Sequence, residues 1–69
     1  MSEVAHPRLV SLVREARGWS QKDLAEAAHV SQGFVSKVES GLLDLRGDHL
    51  TGVAAALDCP PQLLVDDTP

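Results

Sequence analysis

The chain has 69 residues, and six Lys or Arg against ten Asp or Glu give it a formal charge of −4 at pH 7. That length allows one domain with a small core and excludes a multi-domain assembly. The single cysteine, Cys59, excludes an internal disulfide, and a sequence without a long apolar run or a signal-peptide pattern predicts a cytoplasmic module that does not engage a membrane.

Residues 1–6 carry no periodicity and are predicted as a lead-in, with Met1 to Ala5 frayed. Pro7 suits the first turn of a helix, where its missing N–H costs nothing. Leu9, Leu12, Val13 and Ala16 follow at i, i+3, i+4 and i+7, and Gly18 ends the pattern, so helix 1 is expected from Pro7 to Arg17. Trp19 occupies the hydrophobic-staple position before Ser20 and should pack back on helix 2 and the core.

The chain is organised around Ser20 to Gly41. Ser20 is an N-cap, and Asp23 three residues on completes a capping box. Leu24, Ala25 and Ala28 recur at helical spacing until the pattern breaks at His29-Val30. Ser31 restarts it as a second N-cap, with Phe34, Val35 and Val38 as the next apolar stripe. Gly41 stands where a helix end takes the left-handed conformation. The turn between the two helices needs a residue at positive φ, which falls to His29 and should strain it. A protonated His29 touching phosphate is the competing account of that residue. Phe34 has an ambiguous direction, with the rim of the core preferred over an outward contact.

Leu42 to Gly47 forms a loop with three leucines and one basic residue, Arg46. Some of these leucines should cover the core, and an exposed one would mark a protein contact. Asp48 is the expected N-cap of helix 4, whose buried face is Leu50, Val53, Ala54 and Leu57. Asp58-Cys59-Pro60-Pro61 stops that helix, and Pro61 opens a short helix 5 inserting Leu63 and Leu64. Residues 66–69 read as the start of a linker or tail. The whole is an all-α domain of five helices over residues 7–65, with no strand candidate.

Two short helices joined so closely, with Ala at the contact, must cross steeply, as in the helix-turn-helix unit, whose second helix can enter a DNA major groove. Gln21, Leu24-Ala25, Val30-Ser31, Val35, Glu39 and Gly41, continued by Leu50, Ala54 and Leu57, resemble the signature of the Xre/Cro/C1 family of phage-repressor-like DNA-binding domains. The likeness runs from roughly Pro7 to Val65. More narrowly, SQGFVSKVESGLL followed by AAALDCPPQLL resembles the N-terminal module of bacterial proteins that fuse this domain to an ImmA/IrrE-type zinc metallopeptidase. The resemblance implies a transcription-regulator domain that binds double-stranded DNA, with a homodimer in the full-length protein and no cofactor. It also implies that Gln21 bonds a phosphate at the start of helix 2, and that Arg14 and Glu39 pair across helices 1 and 3.

In such a dock the start of helix 3 meets base edges while the N-termini of helices 2 and 3 meet phosphates. Gln32 is the best base reader, because its amide can pair bidentately with adenine. Gly33 permits close approach, and Ser36 and Lys37 lie one turn further along. Lys22 and Arg46 are phosphate candidates by charge, and Ser31 by the backbone beside its cap. The bland alternative makes Gln32, Ser36 and Lys37 a merely solvated face. The acidic balance is the wrong sign for a strong DNA binder. It favours a rival in which the fold serves as a protein–protein module, and a second rival is the non-catalytic arm of a peptidase. His6, His29 and His49 lie far apart, with no H-E-x-x-H and no Cys cluster, so neither a metal site nor an enzyme is expected.

Overall fold

The computed structural model describes residues 4–65 of the chain. Four α-helices, α1 (Pro7–Ala16), α2 (Gln21–Ala28), α3 (Gln32–Glu39) and α4 (Gly47–Ala56), are followed by a single 3-10 turn at Pro61–Leu64. The all-α class holds, but the fifth helix is corrected to that one turn. Two successive prolines, Pro60 and Pro61, supply no N–H, and the segment closes short bonds that reach back three residues, such as Leu63 N–H to Pro60 O at 3.0 Å and Val65 N–H to Gln62 O at 3.3 Å. The turn inserts Leu64, which is fully buried, whereas Leu63 is left 53% exposed. The reading of residues 66–69 falls outside the described residues, as do the first three of the lead-in.

All four α-helices stop in the same way. The N–H groups of Gly18, His29, Gly41 and Asp58 reach back three residues, and those of Trp19, Val30, Leu42 and Cys59 reach back five, at 2.9 to 3.3 Å. This paired closure requires a left-handed residue. Gly18 and Gly41 adopt it at φ 73° and 78°, and His29 and Asp58, which carry a Cβ, at φ 59° and 55°. The positive φ expected at His29 is present.

The starts of α2 and α3 follow their capping residues. Ser20 Oγ accepts from Asp23 N–H at 3.0 Å while Asp23 Oδ2 accepts from Ser20 N–H at 2.9 Å, and Ser31 Oγ accepts from Phe34 N–H at 3.0 Å. Helix α4 departs from expectation, because Asp48 lies inside its first turn and Arg46 takes the cap position without a side-chain bond. The Arg46 backbone is bridged to Val4, so the chain turns at Gly47, at φ 62°, one residue earlier.

The core joins Val10, Leu24, Ala25, Val35, Val38, Leu45, Leu50, Val53, Ala54, Leu57 and Leu64. Helix α2 packs on α3 and α4, and α1 packs on α3 and the final turn. The face expected for α1 is rotated: Val10 is its buried residue, with Val13 beside it, and Leu12 is 49% exposed. The lead-in also needs correction. Ala5 is buried and bridges Val65, its N–H reaches Leu45 O at 2.8 Å, and His6 N–H reaches Leu64 O at 2.8 Å. His6 then caps α1, its Nδ1 accepting from Arg8 N–H at 3.2 Å. The packed unit therefore starts at Val4, because backbone hydrogen bonds rather than apolar periodicity hold this strap.

Candidate nucleic-acid interface

Helix α3 divides cleanly into two sides. At about 100° per residue, Val35 and Val38 point to the core with Phe34 and Glu39 at the edges of that arc. Gln32, Gly33, Ser36 and Lys37 fill the opposite arc. The structure agrees: Val35 and Val38 are buried, Gln32, Gly33 and Lys37 are exposed, and Ser36 is half-buried. Phe34 turns toward α4, its ring centroid 5.2 Å from that of His49, and packs against the core rather than facing outward.

A Cβ built on Gly33 would meet only Ser31 Oγ, at 3.9 Å. Neither a left-handed backbone nor a packing neighbour calls for glycine there. Within an exposed helix glycine costs roughly 0.5–1 kcal/mol relative to alanine, so the open surface at Gly33 has no reason within the free chain.

Gln21 is the first residue of α2 and half-buried, and its Nε2 donates to Glu39 Oε1 at 3.2 Å. Arg14 Nε and Nη2 donate to the two Glu39 oxygens at 2.7 and 3.0 Å, and Arg14 Nη1 donates to Trp19 O at 2.6 Å. The pair expected between helices 1 and 3 is therefore present and bidentate. The Glu39 hydrogen bond raises the Arg14 pKa above the ordinary arginine range, against a smaller opposing effect of burial. Residue spacing does not reveal that Gln21 and the Trp19 carbonyl join this pair, because it specifies neither a side-chain direction nor a backbone acceptor.

The remaining candidates differ in how free they are. Lys22 and Lys37 are exposed and make no ion pair among the described residues. Arg46 sits 3.9 Å from Asp44, with both side chains more than half exposed. Ser31 commits its hydroxyl to the cap of α3. Arg17 points away from this face and donates to Asp58 O at 3.2 Å. Of the six basic residues in the sequence, Lys22, Lys37 and Arg46 thus remain around the α2–α3 unit and its following loop.

Among the described residues, no group of three or more His, Cys, Asp or Glu is placed to hold a metal ion, and no helix is long and apolar enough to cross a membrane. The leucines of the loop separate as well. Leu45 is buried at 1% exposure, while Leu42 is 79% exposed. An open groove beside α1 is lined by Leu12, Val13, Ala16, Arg17, Trp19 and Leu63.

The statistical description of the helix-turn-helix family matches residues 10–64. No curated protein matches the chain. Among solved structures, it is similar to the restriction-modification controller protein C.AhdI from Aeromonas hydrophila, with 29% identity, a TM-score of 0.81 and coverage of 84% of this chain and 88% of that one. It is also similar to a hypothetical transcription factor, NHTF, from Neisseria, with 31% identity, a TM-score of 0.80 and coverage of 88% and 71%. The clp gene regulator ClgR from C. glutamicum shares 28% identity at a TM-score of 0.77, with coverage of 81% and 73%.

Proposed function

The chain belongs to the helix-turn-helix family, of the Xre/Cro/C1-like kind, and from that premise we propose that it is the DNA-binding domain of a cytoplasmic bacterial transcription regulator. Helix α3 docks in the major groove, and the N-termini of α2 and α3 meet the flanking phosphates. Gln32 reads a base edge, Gly33 lets the groove wall come close, and Lys37 and Ser36 extend the contact by one turn. Gln21, Lys22, Ser31 and Arg46 serve the phosphates. The observation that carries this reading is the unoccupied outer arc of α3, directly opposite its buried arc and holding Gln32, Gly33 and Lys37. The same reading is supported by the similarity to NHTF, a hypothetical transcription factor, and ClgR, a gene regulator.

A preferred duplex selected from a randomised pool supplies the test. On that duplex Gln32→Ala should cost about 1–3 kcal/mol of binding. Lys37→Ala should weaken all sequences alike and reduce the salt slope by about one. Unchanged affinity in both variants would remove α3 from the contact.

The exposed leucines support homodimerisation as a companion property. Leu42 follows Gly41 in the closure of α3, where Trp19, Val30 and Cys59 at the equivalent positions all pack on the core. Leu42 is 79% exposed and so is available to a second copy. Sedimentation equilibrium should show self-association that Leu42→Ser weakens, with Tm unchanged at dilutions where both proteins are monomeric, and equal association in both proteins would exclude this surface.

A further inference from the structure

Helix α1 turns its two sides to different surroundings. Val10 is buried and Arg14 meets Glu39 of α3, while Arg8, Leu12, Glu15 and Ala16 are exposed. At about 100° per residue, Leu12 lies opposite Val10 and Arg14, and the other three exposed residues fall within about 60° of it. Leu12 keeps 49% of its surface exposed, beside an open groove whose lining includes Leu63, itself 53% exposed.

The charges on this face oppose the dipole of their own helix. Arg8 stands in the first turn, where the dipole disfavours a cation, and Glu15 in the last, where it disfavours an anion. Neither makes an ion pair among the described residues, and seven residues of helix hold them about 10 Å apart. Glu15 adds only the smallest of the effects on Arg14, a charge that Glu39 already offsets. A second copy gives this order of charges a use. Around a two-fold axis beside Leu12 and perpendicular to α1, an antiparallel α1 brings Arg8 of each copy to Glu15 of the other. Both residues lie on one flank, at nearly equal distances either side of Leu12. The opposite flank sets half-buried Leu9 against Ala16 in the same way, and the two Leu12 side chains meet at the centre.

We propose that the Leu12 face of α1 is a self-association surface whose occupant is the same face of a second copy, held antiparallel by two Arg8–Glu15 ion pairs. It is separate from the Leu42 contact and does not rest on the DNA-binding reading. Helix α1 meets α3 through its other side, so the contact does not involve α3. The patch is small and its ion pairs are exposed, so the association is weak and weakens further with salt.

Sedimentation equilibrium at low salt is the test, with every protein carrying Leu42→Ser so that the Leu42 surface is silent. The Leu42→Ser protein should still self-associate at concentrations approaching about 1 mM. Adding Arg8→Glu or Glu15→Arg should each lower the association constant roughly tenfold or more, because like charges then face each other at both pairs. Either substitution suits the helix dipole, so both variants should stay folded with Tm little changed. Mixed in equal amounts, the two variants should associate with each other about as strongly as the starting protein does with itself, since every pair is again of opposite sign. Both remain acidic overall, so net charge does not draw them together. A Leu42→Ser protein that stays monomeric overturns the proposal and leaves the Leu42 contact standing. Charge variants that associate as the starting protein does, or a mixture that associates no better than its parts, overturn the antiparallel pairing and the proposal with it.

Discussion

Two arginine–carboxylate pairs, one on the last residue of α3 and one in the loop that follows it, differ in almost every physical respect. Arg14 and Glu39 meet through two short bonds, with side chains 13% and 7% exposed, and join α1 to α3 across 25 residues of chain. Arg46 and Asp44 approach only to 3.9 Å, with side chains 57% and 65% exposed, inside one loop. Water screens the second pair almost fully, so it contributes little to stability. The first is held where neither partner can be left alone. The same residue types thus fix the placement of a helix in one setting and merely balance surface charge in the other.

Removing a partner tests the contrast most severely. Glu39→Ala should destabilise the domain by about 3–5 kcal/mol, because it leaves the Arg14 charge half-buried without its carboxylate. Urea denaturation would show this as a lower midpoint at unchanged m. The arginine side of the pair brings no pH dependence near neutrality. A pKa raised on folding contributes stability that is complete below the unfolded value and lost only as pH climbs through the folded one, and both lie in the strongly basic range. A stability curve that fell between pH 7 and 9 in step with loss of the Arg14 contribution would contradict that assignment.

The turn leading into α3 gives a smaller effect of opposite sign. His29 is exposed and held at φ 59°. His29→Gly removes a steric cost of about 1–2 kcal/mol, partly offset by the wider unfolded ensemble, for a net gain of about 0.5–1 kcal/mol. A lowered Tm would show that the imidazole makes a contact that outweighs the backbone cost.

Least of all should change at Asp44. Asp44→Ala is expected to alter stability by less than about 0.5 kcal/mol, yet to raise affinity for a DNA duplex at low salt by releasing Arg46 and removing an anion. Fluorescence anisotropy in rising salt would detect the gain and its disappearance as screening grows. No gain at low salt would place Arg46 away from the phosphates.

The sequence made the central unit legible because its determinants are local. Ser20 with Asp23, Ser31 and Gly41 each specify one turn of backbone through hydrogen bonds within a few residues, and all four act as expected. His29 was legible for the same reason. The buried face of α1 was not, since two apolar stripes, Leu9-Leu12-Val13-Ala16 and Val10-Val13, fit the same period. Only packing against α3 and the final turn selects the one centred on Val10. Nor was the strap at Val4 and Ala5, whose two isolated bridges are too short for any alternation to show. In the candidate site, the Arg14–Glu39 pair was expected from family resemblance, but its extension to Gln21 depends on a side-chain direction that spacing does not specify. The outward arc of Gln32, Gly33 and Lys37 follows from helical geometry with Val35 and Val38 as core.

That strap also sets how the domain would answer a mechanical load. The Ala5–Val65 bridge is antiparallel and joins positions near the two limits of the described chain. In an antiparallel pair, the backbone leaving the first partner toward its N-terminus and the backbone leaving the second toward its C-terminus run in the same direction. Tension applied through both ends therefore peels the pairing apart one hydrogen bond at a time instead of shearing several at once. The bond from His6 to Leu64 lies next along that seam, and beyond it are the cap of α1 and the turn that inserts Leu64. The point of lowest tensile resistance thus lies at the strap, while the α2–α3 unit carries no load until the seam has opened.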